Sequence, residues 1–174
     1  YHEKFKELQD KTTFKGQQWF GERQELVEQY SWAVPNDNSL LYLSQFDELV
    51  ELGAGSGYWA NCINDAGGNV RAYDIDPPED LWAEVNTMDV AAIADKLEGE
   101  PVLMVWPPCD NNMALQVAEA LPSHILYVGE PRGGCTATDA FFDSLDEQYG
   151  LVAKVEIPSF AGVNDDLFHY VRKF

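Results

Sequence analysis

Basic residues are scarce in this chain. Its 174 residues hold 11 Lys and Arg against 30 Asp and Glu, for a net charge of −19. Such a chain repels polyanions over long range, which disfavours nucleic acid as a partner. The acids are spread along the sequence and form no acidic tail. Two readings fit the excess: adaptation to high salt, where dense carboxylates stay hydrated and their repulsion is screened, or an ordinary acidic cytoplasmic protein. Cysteine is sparse too. Cys62, Cys109 and Cys135 match no zinc or C-x-x-C spacing, and their odd number argues against a disulfide framework. No metal is expected, and the setting reads as reducing and cytoplasmic. No apolar run approaches the roughly 18 residues needed to cross a bilayer, so no membrane partner is expected. The opening segment YHEKFKELQDKTTFKG is polar and reads as no signal peptide, and the missing initiator Met points to a trimmed chain. Long repeats and low-complexity linkers are also absent.

What is present is enough for one well-packed domain: hydrophobic residues make up 45% and aromatics 13%. Residues 1–46 read as an N-terminal helical segment packing on a core, and 47–174 as one compact unit. Helix formers with spaced apolar positions run over Glu3 to Gln9 and Glu22 to Tyr30, and Asn36, Asp37 or Asn38 caps a short helix through Phe46. From Asp47 the rhythm changes. DELVELG is a strand, GYWANCINDAG a helix with a glycine stop, and NVRAYDID a second strand. PPEDLWAEV has the Pro and acids of a helix start, VNTMDV is a short strand, and AAIADKLEG a short helix. PVLMVW and HILYVGE are buried strands separated by the helix NNMALQVAEAL. TATDAFFDSLDEQYG is a helix with Thr136 or Thr138 near its start, and two strands around a polar turn close the chain. This alternation predicts an α/β fold: a Rossmann-like doubly wound sheet, mostly parallel, with a C-terminal antiparallel hairpin strand and helices on both faces. Ligands of such sheets bind at the C-terminal strand ends, near the switch in strand order.

ELGAGSGYWA leaves the first strand and opens a helix. Gly53, Gly55 and Gly57 remove Cβ atoms where the chain turns sharply and a ligand must approach backbone. The G-x-G-x-x-G dinucleotide fingerprint fails, because its last glycine would fall at Tyr58. Asp74 ends the next strand, where a carboxylate can accept hydrogen bonds from ribose hydroxyls, with Asp76 as the fallback. TMDV follows with Asp89.

The spacing E-x-G-x-G-x-G from Glu51 resembles motif I of class I S-adenosylmethionine-dependent methyltransferases. The resemblance runs from about Asp47 to the C-terminus and includes the final hairpin. It implies that S-adenosyl-L-methionine is the cofactor, held at Glu51, Gly53, Gly55 and Gly57. It further implies Asp74 on the ribose, Asp89 on the adenine amino group with Met88 and Val90 beside the ring, and Trp106 against the cofactor. Three further stretches, YSWAVPNDNSL, VWPPCDNNMA and YVGEPRGGCTATDAF, resemble a group of small methyltransferase-like proteins without an established substrate.

Methyl transfer is an in-line attack on a sulfonium carbon, so the protein must position the nucleophile, exclude water and, for some acceptors, take a proton. In VWPPCD, Trp106 and Cys109 flank Pro107 and Pro108. Amino methyltransferases that this stretch resembles have a polar residue and an aromatic at those two places. There the polar residue and a proline carbonyl hold the amine and the aromatic stacks. Indole only donates and a thiol does not stack, so this grip is half present. Asp110 is the acceptor left in this loop, and the turn reads as a rigid pocket wall of Pro107, Pro108 and Cys109. Glu130, ending a buried strand, is a base, an orienting group or a partner of Arg132. Gly133 and Gly134 allow close ligand approach, and Cys135 at a helix start would have a lowered thiol pKa. Trp32 is expected to cover the cofactor, and Tyr30 is not. His124 lies at the wrong strand end, and His169 reads as structural. The expected function is methyl transfer to an unidentified small molecule. Alternatives are a nucleic-acid or protein amino methyltransferase and a non-catalytic sensor or interaction module that binds the same cofactor. Substrate, methylated atom and oligomeric state are not encoded legibly.

Overall fold

The computed structural model describes residues 2–10 and 16–174. Two helices, α1 (His2–Asp10) and α2 (Gly16–Gln29), precede α3 (Asp37–Leu43). Asn36 caps α3 in a reciprocal box with Ser39, satisfying amide donors at the helix start. Then come β1 (Leu49–Leu52), α4 (Tyr58–Asp65), β2 (Val70–Asp74), β3 (Val85–Thr87), α5 (Val90–Ile93), β4 (Pro101–Val105), α6 (Met113–Glu119), β5 (His124–Gly129), α7 (Asp139–Gln148), β6 (Tyr149–Glu156) and β7 (Asp166–Arg172). Among the described residues no helix is long and apolar enough to cross a membrane.

The strands form one seven-stranded sheet in the order β3-β2-β1-β4-β5-β7-β6. Strands β1 to β5 are parallel, and β7 inserts antiparallel between β5 and β6. Strand order reverses between β1 and β4, which opens a crevice at their C-terminal ends. The two-residue period of a strand splits each apolar run between the faces. Val50, Leu52, Val102, Met104, Ile125 and Tyr127 pack with Val117, Phe141 and Leu145 of α6 and α7. Their neighbours Leu49, Leu103, Leu126 and Val128 pack with Leu43 of α3 and with Trp59 and Ile63 of α4. Both faces are covered, which is why these strands are almost wholly apolar, with Glu51 in β1 the buried exception. Helices α1 and α2 join this body through a smaller cluster of Phe5, Leu8, Leu26, Val34 and Phe160.

One predicted helix is missing. Residues 77–84 form no helix. The segment is pinned instead at Trp82, whose backbone N–H donates to Ser56 O (2.8 Å) and whose Nε1 donates to Gln29 O (2.8 Å). The Trp82 ring stacks on Tyr30, with centroids 5.4 Å apart. With Pro77 and Pro78 unable to donate and Trp82 tied to α2, tertiary contacts override the local helix signal.

Candidate functional site

The turn after β1 reverses direction within five residues, and Gly53, Gly55 and Gly57 all take positive φ (+71°, +54°, +74°). Side chains rarely adopt that region. A Cβ on Gly57 would also lie 2.9 Å from Val85 Cγ2. The turn hangs from β2: Gly53 N–H and Ala54 N–H donate to Tyr73 O (2.9 and 3.1 Å), and Gly55 N–H donates to Asp74 Oδ2 (2.8 Å). Above it is a cavity of about 270 Å³, whose wall includes Glu51, Gly53, Gly55, Tyr58, Val105, Tyr30 and Trp32. Trp32 and Tyr30 both line this cavity.

The acids around this turn differ in state. Asp74 is half-buried, and its second oxygen accepts from Asp76 N–H (2.9 Å), so it braces the glycine turn besides facing the end of β2. Asp89 is exposed and caps α5, accepting from Ala91 N–H (2.9 Å). Neither Asp74 nor Asp89 lines the cavity. Glu51 does; it is fully buried, and its Oε2 has no hydrogen-bond partner. Desolvation pushes its pKa up to about 8, against a hydrogen bond from the Ala60 backbone, and the Asp74 charge adds to the rise. Near neutral pH Glu51 is thus mainly a neutral acid beside a cavity, poised to ionise when a cation arrives.

The loop after β4 does not offer what its two prolines suggested. The Pro107 carbonyl accepts Ala137 N–H (2.9 Å), and Pro108 pairs with Thr136 in an antiparallel bridge. The loop after β4 is thus stitched to the loop after β5 (loop five), and the Pro107 carbonyl is engaged. Pro107 is buried, whereas Pro108, Cys109 and Asp110 are exposed. In loop five, Glu130 is buried and both its oxygens are occupied: Oε2 accepts Cys135 N–H (2.7 Å) and Oε1 accepts Asn164 N–H (3.0 Å). It clasps loop five to the β6–β7 turn. Arg132 pairs with Asp143 and Asp146, not with Glu130. Gly134 is required by Glu130 itself, since a Cβ there would lie 2.4 Å from Glu130 Cβ. Cys135 precedes α7, which Thr138 caps, and the nearby Glu130 charge raises its thiol pKa instead of lowering it.

A second cluster lies at the same sheet edge. Trp106 follows β4 with φ +53°, a conformation that costs an L residue about 1–2 kcal/mol. It is held by its N–H on Val128 O (2.7 Å) and by its indole Nε1, which donates to Asp165 Oδ1 (2.8 Å). Its ring stacks on Trp32 (4.9 Å, 8°). The Arg23 guanidinium lies over Trp32, Trp106 and Phe160, at 5.4, 5.9 and 5.0 Å from their centroids. Asp165 is buried, and desolvation raises its pKa to about 6, against the Trp106 hydrogen bond and the Arg23 charge. Sequence reasoning missed both Arg23 and Asp165. The signal for Asp165 was its place just before a strand antiparallel to β5, which starts at the edge where β5 ends.

His124 and His169 stand away from this edge. His169 Nδ1 shares a hydrogen bond with Tyr42 Oη and its Nε2 with His124 Nδ1 (both 2.8 Å), and burial lowers the His169 pKa to about 4.

No protein-family model matches the chain, and no curated protein does. Solved structures do. Magnesium protoporphyrin IX methyltransferase from Synechocystis PCC 6803, crystallised with bound S-adenosylmethionine, superposes with a TM-score of 0.56 at 14% identity, covering 89% of this chain and 81% of that one. A TehB-like S-adenosylmethionine-dependent methyltransferase from Corynebacterium glutamicum superposes at 0.54 and 13% identity, covering 90% and 97%. The 1,6-didemethyltoxoflavin-N1-methyltransferase of Burkholderia thailandensis, holding its substrate and S-adenosylhomocysteine, superposes at 0.51 and 14%, covering 79% and 80%. The likeness is one of fold.

Proposed function

We propose that this chain, which has the fold of class I S-adenosylmethionine-dependent methyltransferases, transfers a methyl group from that cofactor to a small molecule. The carrying observation is the cavity at the strand-order switch, floored by the positive-φ glycine turn and walled by Glu51 with its unpaired buried oxygen. A methionyl ammonium has the charge and donors to pair with that oxygen. The cofactor, when bound, supplies an electrophilic methyl on a sulfonium.

The chain's own residues bind, orient and shield. Asp74 keeps lone pairs for ribose hydroxyls beyond its two backbone bonds, and Asp89 has a second oxygen for an adenine amino group. Tyr30 and Trp32 wall the cavity, and Trp106, stacked on Trp32, would shield the methyl-bearing end of a bound cofactor from water. Asp165 takes over the proton-accepting role first sought in Asp110 and Glu130. Asp110 is exposed, and Glu130 clasps loop five to the β6–β7 turn through one backbone amide on each oxygen, whereas Asp165 is tied to the ring cluster itself through Trp106. The amino-methyltransferase reading is weaker, because the Pro107 carbonyl is used by Ala137.

Calorimetry tests the proposal. S-adenosylhomocysteine is expected to bind and NAD not to. Binding of NAD without S-adenosylhomocysteine overturns it. Ionisation of Glu51 on binding also releases up to one proton at pH 7, visible as a dependence of the apparent enthalpy on buffer.

A further inference from the structure

The chain has four arginines, and three of them are ion-paired at the surface: Arg71 with Glu48 and Glu100, Arg132 with Asp143 and Asp146, and Arg172 with Glu98. Arg23 is different. Its Nε and Nη2 are buried and make no hydrogen bond. These two nitrogens share one edge of the guanidinium, and their N–H bonds point the same way. That edge is the fork that grips a carboxylate or phosphate through two parallel hydrogen bonds. A buried guanidinium edge without acceptors is unfavourable by more than a neutral donor would be. Among the described residues no carboxylate is hydrogen-bonded to it, in a chain with 30 acids.

We propose that the Arg23 edge binds the anionic group of the methyl acceptor, so that the substrate is a flat or aromatic carboxylate or phosphate ester. This rests on the methyltransferase reading of the site. The position of Arg23 favours the acceptor over the cofactor as the source of the anion. Arg23 lies over Trp32, which walls the cavity over the glycine turn, but also over Trp106 and Phe160, and its charge acts on Asp165 and Cys135. The last four do not line that cavity, so Arg23 stands at its rim on the Trp106 side. The surrounding rings supply an apolar bed for a planar body. Trp32 is 40% exposed and stacks on Trp106, so it can swing away and admit the ligand to the buried edge. With Asp165 beside the same rings, the anion fixes the acceptor while its nucleophile meets a proton acceptor.

The test is calorimetry on the whole chain saturated with S-adenosylhomocysteine, using benzoate, 4-hydroxybenzoate and phenyl phosphate against neutral benzamide. At least one anion is expected to bind at least tenfold tighter than benzamide. Arg23→Gln should remove that preference, and Arg23→Lys should retain part of it, having the charge without the fork. Both variants should hold S-adenosylhomocysteine within about twofold of wild type. Equal binding of anions and benzamide, or an anion preference untouched in both variants, overturns the proposal. So does a tenfold loss of S-adenosylhomocysteine affinity with 5′-methylthioadenosine unaffected, which would assign Arg23 to the cofactor's own carboxylate. If Arg23→Gln does not fold, the wild-type comparison and Arg23→Lys decide. Failure of S-adenosylhomocysteine to bind the wild type defeats the methyltransferase reading alone, and the anion preference is then measured without it.

Discussion

The two halves of the site are built in different ways. The proposed cofactor half, from Glu51 to Asp74, is backbone geometry within a short stretch of chain: a glycine turn hung from the neighbouring strand, with Gly55 and its Asp74 acceptor 19 residues apart. The acceptor half is side chains gathered from far apart. Trp106 and Asp165 are 59 residues apart, and Arg23 and Trp32 come from before the first strand. The first half depends on φ angles and close approach, and the second on stacking, desolvation and charge. They should therefore fail separately.

The largest effect is expected at the turn. Gly57→Val places a branched side chain at φ +74° against Val85, and should lower stability by about 2–4 kcal/mol and abolish S-adenosylhomocysteine binding. Thermal melts and calorimetry read both. A Gly57→Val protein that still binds would mean that the turn is no cofactor cradle.

Next is Glu51. Its folded pKa of about 8 exceeds the ordinary value of 4.5, so its ionisation does not affect stability below pH 4.5 and destabilises the fold increasingly as pH rises to 8. An ammonium partner reverses this for the bound state. Wild-type affinity for S-adenosylhomocysteine should rise with pH toward 8, by up to about tenfold per unit. Glu51→Gln should bind about 10–100-fold more weakly, with that pH dependence gone, while gaining stability at pH 8. An unchanged slope in Glu51→Gln would remove the ammonium assignment.

Asp165 tests the other half with a smaller effect. Its folded pKa of about 6 lies above 3.8, so it takes up a proton in the fold as pH falls through 6. Because the Trp106 indole donates to it, tryptophan fluorescence should titrate near pH 6 and become flat in Asp165→Asn. S-adenosylhomocysteine affinity should stay within about twofold, since only the acceptor half is altered. A large affinity loss would erase the separation of the halves.

The smallest effect lies outside both. His169, held near pKa 4, contributes stability that is fully present above pH 6.5 and is lost as pH falls toward 4. Urea melts across that window should show the slope, and His169→Gln should flatten it while leaving ligand binding alone.

Much of the fold was legible because the central strands announce themselves as buried, mostly apolar runs closed by turn residues. DELVELG, PVLMVW and HILYVGE all became parallel strands, and the closing pair became β6 and β7. PPEDLWAEV misled because proline and acids mark helix starts, yet Trp82 found better partners in Tyr30 and Gln29 than a helix would have given it. The glycine turn was legible because glycine is the residue that tolerates those angles. Glu130 was noticed as a buried acid, but its work as a clasp between loops needed the amides of Cys135 and Asn164 to be seen beside it.

The sequence by itself determined the order of elements, the glycine turn and the acids near it, since these follow from two-residue and helical periods and from local φ preferences. Only the tertiary structure decided the acceptor half. Strand β7 runs antiparallel beside β5, which carries Asp165 to the edge where Trp106 sits, and α2 lays Arg23 over the same rings. Such a cluster has no spacing rule in the chain. Its members meet because the sheet order and the burial of apolar faces bring them together, and desolvation there then sets the charge state of Asp165.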